Sequence, residues 1–420
     1  MQSFSRKIMK NSNWVTCIYV FAILASGKVS LAQKKSSLTG QEVSLNTITT
    51  SVPFLSIGPD SRAGGMGDCG VASSPDVNSM HWNAAKYAFI EKKTGFALNY
   101  TPWLRRLVPD INFSYLSGYY KLDKNQAIAG SLRYFSLGDI TFTDVNGQTI
   151  GQFRPNEFSV DLGYARKLSS RFSTSLALRY VYSNLTSGIN VAGANTKPGQ
   201  AVAADIGAYY QNNDITLGGK KTIYSFGLNI SNVGSKISYS ETAVRDFIPQ
   251  NLKIGNSITF ELDDYNKICF MVDFNKLLVP TPPRIARDST GSPIYGADGN
   301  LVLSSGKPSN VGPIAGVVQS FYDAPDGIAE ELREVMWAAG MEYWYDNLFA
   351  LRTGYFHEAP SKGNRQYFNI GAGLRYNVFG IDFAYLIPTV TQNPLQNTLR
   401  FTLTFNFDAI SSGSVKENNN

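Results

Sequence analysis

From Thr94 to Phe407 the sequence is a series of fourteen short strand-like segments separated by turns. In the last segment, residues 398–407, five apolar side chains alternate with polar ones. A period of two is typical of β-strands, but a core strand of a soluble protein shows it as well. The alternation therefore predicts an all-β fold and leaves open a soluble sandwich or propeller and a membrane barrel.

The lengths of the connections decide between these folds. Turns after even-numbered segments are short, as at 122–125 and 377–378, whereas most connections after odd-numbered segments are longer, as at 136–156 and 276–334. An even number of strands with short turns at one end and long loops at the other is typical of transmembrane barrels. A sandwich or a propeller has no reason to alternate in this way. We therefore predict a 14-stranded antiparallel transmembrane β-barrel over residues 94–407.

The first 32 residues have the pattern of a signal peptide. Arg6, Lys7 and Lys10 precede an apolar stretch, and Ala32 ends a small-x-small cleavage site. The apolar stretch is too short to span a bilayer, and no later run approaches the length of a membrane helix. We predict an exported protein in which a polar N-terminal arm spans 33–52 and a polar tail spans 408–420.

Composition supports an outer-membrane barrel and argues against nucleic-acid binding. The chain has 25 Phe and 23 Tyr, many of them at strand ends, as in the aromatic girdles of membrane barrels. Four of the 38 Lys and Arg lie in residues 1–32, which leaves 34 basic residues against 32 acidic ones. So balanced a chain lacks the basic stripe that nucleic-acid binding requires. Cys69 and Cys269 are no disulfide framework, and two buried free thiols are favoured over one bridge.

Residues 53–93 are predicted to form a plug, or hatch, inside the barrel. The segment is rich in glycine, has no regular period, and carries apolar anchors such as Phe54 and Met66. A solvated linker rarely carries so many apolar residues, so burial is favoured over the linker alternative. The GxGxxG pattern at 65–70 is coincidental, because proline-containing turns replace the strand and helix of a dinucleotide site. The residues expected to hold the plug are Pro59, Asp60, Arg62, Gly64, Gly65, Gly67 and Asn83.

The connection at 276–334 is too long to be incidental. Its first half is polar and rich in turn residues. Its second half contains a helix candidate from Ile328 to Val335, in which Ile328, Leu332 and Val335 share one face. The insert is either a folded cap on the barrel or a docking surface, and the sequence favours neither.

The sequence predicts no catalytic site, no metal site and no cofactor. The two histidines, His81 and His357, are too few for a metal cluster, and no nucleophile elbow or zinc-protease motif is present. Asp60 and Arg62 are expected to form a structural ion pair, with each other or with lumenal charges such as Arg179. We therefore predict that the protein is not an enzyme.

Several longer phrases resemble one family of outer-membrane proteins. They include PFLSIGPDSRAGGMGD at 53–68, HWNAAKYAF at 81–89, GYFHEAPSKGNRQYF at 354–368 and NTLRFTLTF at 397–405. The chain from 53 to 407 is similar to the PorV family of the type IX secretion system of Bacteroidota, within the wider FadL-like group. Cys69, where a small residue is expected, and the polar tail depart from the family pattern.

The resemblance implies a FadL-like barrel with an N-terminal segment in its lumen. It implies an integral protein of the cell outer membrane, with long loops facing the exterior and both termini periplasmic. The implied function is a shuttle that accepts cargo from a SprA-type translocon by the cargo's C-terminal signal domain and delivers it to an attachment complex containing a PorU-type sortase. Outer-membrane lipid is a further expected partner. A FadL-like transporter of hydrophobic small molecules, a lipopolysaccharide-modifying protein and a purely structural surface protein stay open as alternatives.

Exposed apolar residues of the long loops are the candidates for partner binding, because such anchors dominate interface energies. The alternative is that they pack the loops onto one another. The candidates are Trp103, Leu104, Phe142, Phe153, Phe247, Ile248, Phe321 and Tyr322.

Overall fold

The computed structural model describes residues 45–104, 110–143, 146–186, 190–191, 194–241, 245–389 and 395–407. The predicted signal peptide, the polar tail and most of the polar arm lie outside the described residues. Within the described ranges, none of the helices has the length and apolar character needed to cross a membrane.

Fourteen strands form a closed antiparallel barrel, which confirms the predicted fold. Each strand pairs with the next in sequence, and the ring closes between the first and the last, where Thr94 lies opposite Phe407. The strands are β1 Thr94–Pro102, β2 Ile111–Lys121, β3 Gln126–Leu137, β4 Asn156–Lys167, β5 Phe172–Asn184, β6 Gly199–Leu217, β7 Lys220–Gly234, β8 Asn251–Glu261, β9 Asn266–Leu277, β10 Met336–Tyr345, β11 Phe349–His357, β12 Gln366–Tyr376, β13 Phe379–Pro388 and β14 Leu399–Phe407.

Shorter elements precede β1 and occupy the long loops. The described helices are α1 Ser61–Gly64, α2 Ser79–Trp82, α3 Pro313–Gln319 and α4 Ile328–Arg333, with 3-10 turns at Pro53–Ser56 and Ala84–Phe89. Short strands pair within loops at Ile140–Thr143 and Thr149–Phe153, at Asn190–Val191 and Ala194–Asn195, and at Arg284–Ile285 and Leu303–Ser305. The predicted helix at 328–335 is thus two residues shorter than expected.

The alternation along each strand separates two faces of the barrel. In β4, Asp161 is buried while its neighbours Val160 and Leu162 are exposed. In β5, Arg179 is buried beside the exposed Leu178, and its Nε atom lies 2.6 Å from an Asp161 carboxylate oxygen. Charged side chains therefore face inward in pairs, and apolar side chains face outward, as in a transmembrane barrel.

The connections alternate as predicted. Turns of two to four residues follow the even-numbered strands and define the short-turn end, and the connections after odd-numbered strands define the long-loop end. Gly218 and Gly219 form the turn between β6 and β7 with φ angles of 59° and 77°. Positive φ at both turn residues suits the tight hairpins that match strand twist. This turn has only two residues, because residues 213–217 extend β6 beyond a register shift.

Residues 52–90 are largely buried and are called the inner segment. Just before it, the Ser51 N–H donates to the Phe247 carbonyl in a long loop, at 2.9 Å. At its other end, Lys121 Nζ donates to the Ile90 carbonyl beside a short turn, at 2.6 Å. The inner segment therefore passes from the long-loop end to the short-turn end before β1 begins.

This passage places the two ends of the described chain on opposite sides of the barrel. The Asn46 N–H donates to the Ser361 carbonyl at the long-loop end, at 3.2 Å, whereas β14 finishes at the short-turn end. The resemblance implied that both termini lie on the same side. The inner segment crosses the length of the barrel once and the strands cross it fourteen times. Because the total is odd, the two ends of the described chain lie at opposite ends of the barrel.

Candidate functional site

Arg62 ties the inner segment to the barrel wall. Its Nε and Nη2 atoms donate to the two carboxylate oxygens of Glu342 in β10, at 2.9 and 2.8 Å. Its Nη1 atom donates to Asp76 within the inner segment, at 2.9 Å. A two-pronged guanidinium–carboxylate pair of this kind fixes orientation as well as distance. Arg62 therefore joins two parts of the inner segment to one strand.

The predicted ion pair with a lumenal charge is formed by Arg62, with Glu342, whereas Asp60 pairs with neither Arg62 nor Arg179. Its carboxylate accepts from the Ala63 N–H at 2.8 Å and from Trp82 Nε1 at 2.6 Å. The first bond caps α1 at its N terminus. The physical reason for the difference is that Glu342 offers Arg62 both carboxylate oxygens, while Asp60 is occupied by the capping bond.

A row of ion pairs extends from the contact between Arg62 and Glu342 to the neighbouring strands of the barrel. Glu342 also accepts from Arg352 Nε at 2.8 Å, and Arg352 Nη1 donates to Asp382 at 2.7 Å. Asp382 accepts in addition from Arg375 Nη2 at 2.6 Å. Glu342, Arg352 and Asp382 are almost wholly buried. Such charges need partners, because an uncompensated buried charge costs several kcal/mol.

The inner segment also contacts strands on other sides of the barrel. Asp68 pairs with Arg400 of β14, and the Gly70 N–H donates to a carboxylate of β9 at 2.7 Å. Asn83 Nδ2 donates to the Ala208 carbonyl of β6 at 2.9 Å. Contacts with β6, β9, β10 and β14 surround the segment, so it lies inside the ring of strands. The residues predicted to hold it are all buried, namely Pro59, Asp60, Arg62, Gly64, Gly65, Gly67 and Asn83.

Gly67 lies where the inner segment touches the wall directly. It has a φ angle of 72°, and a Cβ atom there would lie 2.7 Å from the Tyr355 backbone nitrogen and 2.8 Å from its carbonyl oxygen in β11. Glycine tolerates both the left-handed backbone and the close approach. No other residue type satisfies both requirements at this contact.

We expect Gly67→Ala to lower the free energy of unfolding by about 2–5 kcal/mol, since left-handed strain costs about 1–2 and overpacking about 1–3 kcal/mol. Gly147→Ala is the matched control, because Gly147 has a φ angle of 79° and nothing lies within 4 Å of where a Cβ atom would stand. The control should lose no more than about 1–2 kcal/mol. Urea unfolding in detergent, followed by tryptophan fluorescence, measures both. Equal losses would contradict the close contact.

A cluster of buried charges fastens the insert to the long-loop end, and we call it the loop clamp. Lys362 Nζ lies 2.7 Å from Glu330 and 2.9 Å from Glu334. Lys276 Nζ lies 3.0 Å from Glu331 and 2.6 Å from Glu334. The clamp joins the end of β9, the helix α4 region and the loop after β11. Two connections, the insert and the loop after β11, are thereby held in one arrangement.

Lys362→Met should weaken the insert, and more so at neutral pH than in acid. Burial opposes ionisation of Glu330, but hydrogen bonds from Lys362 and the Asp326 N–H keep its pKa below the usual 4.5. In the wild type this stabilisation is therefore present above pH 4.5 and is lost as the pH falls through the lowered pKa. Without Lys362, only the hydrogen bonds from the Asp326 N–H and Asn46 oppose burial, so the pKa of Glu330 rises and the variant insert should lose more stability at neutral pH than in acid.

Protease cleavage within residues 278–335, measured at about pH 4 and pH 7, tests this pH-dependent loss of stability. Lys307→Met is the control, because Lys307 lies over the Tyr322 ring of the same insert and forms no ion pair within the described residues. Its cleavage should follow the wild type at both pH values. Cleavage of Lys362→Met that also follows the wild type would contradict the clamp.

Helix α4 presents its apolar face to the outside. Ile328 and Leu332, one turn apart, are 79% and 69% exposed. Glu330 and Glu334, also four residues apart, are buried in the loop clamp. This polarity is the reverse of an ordinary surface helix, whose apolar stripe faces the core. The sequence left the insert undecided between a cap and a docking surface, and the exposed stripe favours docking.

Helix α3 of the insert also exposes apolar side chains. In α3, Ile314 and Val318 are exposed and four residues apart, while Gly316 between them packs against Phe247. The loop after α3 exposes two aromatic side chains, Phe321 and Tyr322. We call these exposed residues the insert surface, comprising Ile314, Val318, Phe321, Tyr322, Ile328 and Leu332.

A family model described as the type IX secretion system protein PorV matches residues 40–284. The chain belongs to this family. It is therefore an outer-membrane β-barrel component of the type IX secretion system.

Three solved structures illustrate the fold similarity. They are the toluene transporter TbuX of Ralstonia pickettii (12% identity, 84% of this chain and 98% of that chain covered, TM-score 0.43), the CymD monoaromatic hydrocarbon channel (13%, 84% and 98%, 0.46) and a Pseudomonas aeruginosa FadL homologue (11%, 86% and 99%, 0.38). Among curated proteins, none matches the sequence.

Among the residues predicted to bind PorV-family partners, Phe247 and Ile248 are not exposed. Ile248 is fully buried in a core cluster, and Phe247 is buried against α3. The expected exposure is wrong because helix α3 of the insert covers Phe247, and Ile248 packs in a cluster with apolar residues of the inner segment. Trp103 and Leu104 are half-buried against the same cluster, so they support a loop rather than form a free surface.

The other four partner candidates keep their predicted role as a hypothesis. Phe321 and Tyr322 are about half exposed, and Phe153 is partly buried. The Phe142 side chain lies outside the described part of the structure. The sequence reading missed Ile314 and Val318, although their spacing of four after Pro313 is the pattern of one helix face.

The remaining chemistry of the described residues is limited. No group of three or more His, Cys, Asp and Glu side chains among them is arranged to hold a metal ion. Cys69 and Cys269 are both buried free thiols, as the sequence favoured.

Proposed function

We propose that this PorV-family protein binds the C-terminal signal domain of proteins emerging from a SprA-type translocon and passes them to a PorU-type attachment complex. In this proposal the long-loop end faces the cell exterior. The observation that carries it is the reversed helix α4, with Ile328 and Leu332 outward and the clamped glutamates inward.

The insert surface has the properties of a protein-binding site. Exposed apolar groups on a soluble surface are costly unless they are used, and contiguous ones mark interaction sites. Its aromatic members, Phe321 and Tyr322, are the kind of anchor that carries interface energy. The loop clamp holds the surface in place before binding, which reduces the entropy lost when a partner docks.

The charged contacts of the inner segment favour a cargo carrier over a transporter of hydrophobic small molecules. A hydrophobic substrate needs an apolar route through the barrel, and polar groups without compensation are costly beside it. Here the contact between inner segment and wall is built from ion pairs such as Arg62 with Glu342 and Asp68 with Arg400. Cargo held on the loops requires no passage through this region.

The proposal is tested by gentle detergent extraction of the tagged protein from its own outer membrane, followed by mass spectrometry. We expect secreted proteins with a shared C-terminal domain, together with a very large barrel. Recovery of the protein alone with fatty acids or other lipids would contradict the carrier and favour the transporter.

A further inference from the structure

A cavity of about 430 Å³ lies at the long-loop end. It is bounded by residues 47–50, by the inner segment, and by inward-facing residues of β8 to β12. Apolar walls are provided by Trp82, Met336 and Phe356. The volume falls within the range of about 300–1,000 Å³ that small-ligand sites occupy.

Lys253 of β8 brings a positive charge to this cavity, and carboxylates of the inner segment and of β9 offset that charge without ion-pair contact. Its side chain is more than nine-tenths buried, and Nζ lies 4.5 Å from the centre of the Trp82 ring. Within the described residues, the Lys253 ammonium has neither a hydrogen bond nor an ion pair. The cavity's other cations are paired, Lys362 with the loop clamp and Arg365 with Glu358 at 2.8 Å. A buried charge without a direct partner is costly, so an anion bound in the cavity would stabilise the site.

Two amide side chains beside Lys253 are also unsatisfied. Asn275 of β9 lies directly opposite Lys253 in the strand register, and Asn251 lies two residues before it on the same face. Both side chains are buried and line the cavity, and neither Oδ1 atom has a hydrogen-bond partner. Each amide offers a donor and an acceptor. One ammonium and two amides therefore converge on the same space.

We propose that this cavity binds the C-terminal carboxylate of a peptide. The Lys253 ammonium donates to the carboxylate, and the amides of Asn251 and Asn275 satisfy the adjacent peptide N–H and C=O groups. Trp82, Met336 and Phe356 pack against the last side chains. A free alkanoic acid offers the same carboxylate but leaves both amides unsatisfied, which disfavours it. Any peptide with a free chain end meets these requirements, so the inference does not depend on the cargo transfer proposed above.

The test is isothermal titration of the purified protein in detergent with an N-acetylated leucine tripeptide, its C-terminal amide, and octanoate. We expect the amide to bind about 10- to 100-fold more weakly than the free acid, and Lys253→Met to weaken free-acid binding by the same factor. Lys93→Met is the matched control, because Lys93 lies over the Tyr120 ring at the opposite end of the barrel. This variant should bind the free-acid tripeptide as tightly as the wild type. Asn275→Leu should weaken the tripeptide and leave octanoate unchanged.

Equal binding of the free acid and the amide, or no binding of the tripeptide at millimolar concentration, overturns the proposal. Octanoate that binds more tightly than the tripeptide overturns the peptide assignment, and its loss in Lys253→Met would then assign the site to a free acid. Each variant is first checked for a wild-type urea midpoint. If Lys253→Met does not fold, the comparison of free acid with amide on the wild type still decides.

Discussion

Replacing Phe321 and Leu332 together with aspartate should reduce the recovery of secreted partners with the tagged protein by tenfold or more. Both side chains lie on the insert surface and are at least half exposed, so the barrel should be unaffected. Interface anchors of this kind contribute about 2 kcal/mol or more each, and a carboxylate in their place adds a desolvation cost. Quantitative mass spectrometry of the detergent extract measures the effect.

The matched control replaces Tyr295 and Leu301 with aspartate. These residues pair with each other in the first half of the same insert and are also exposed. The control makes the same change in charge and removes one aromatic and one aliphatic side chain. It should recover partners at the wild-type level. Equal recovery with both double variants would show that the insert surface is not where partners bind.

Glu342→Gln should have the largest effect on stability, lowering the free energy of unfolding by about 3–5 kcal/mol. Glu342 accepts from both Arg62 and Arg352 in a buried site, so the neutral amide removes the negative charge that offsets two buried guanidinium groups. The inner segment then loses its charged contact with β10. We expect the buried thiol of Cys69 to become reactive towards a maleimide, because Cys69 lies in that segment.

Glu261→Gln is the control for this prediction. Glu261 also pairs with two cations, Lys221 at 3.1 Å and Lys267 at 3.7 Å, but at a partly exposed position near a short turn. Surface ion pairs contribute about 0–1 kcal/mol, so the control should remain close to the wild type. Urea unfolding and maleimide labelling are read on the same samples. A Glu342→Gln protein with unchanged stability and unreactive Cys69 would mean that the charged row does not retain the inner segment.

The candidate site was only partly visible in the sequence. The i, i+4 pairs Ile328 with Leu332 and Glu330 with Glu334 follow from helix periodicity. Which of these faces points outward depends on Lys362, which is supplied by a connection about thirty residues further along. The same limit explains Phe247, whose burial depends on α3 packing over it.

What the sequence by itself determined is the strand count, the order of pairing and the contrast between short turns and long loops. These features are local, since a period of two and a turn residue such as Gly218 act within a few positions. Only the tertiary structure decided that Arg62 meets Glu342, 280 residues away, and that Lys253, Asn251 and Asn275 converge on one cavity. Closure of the barrel brings residues together that are far apart in sequence, and a local sequence pattern does not specify which of them come into contact.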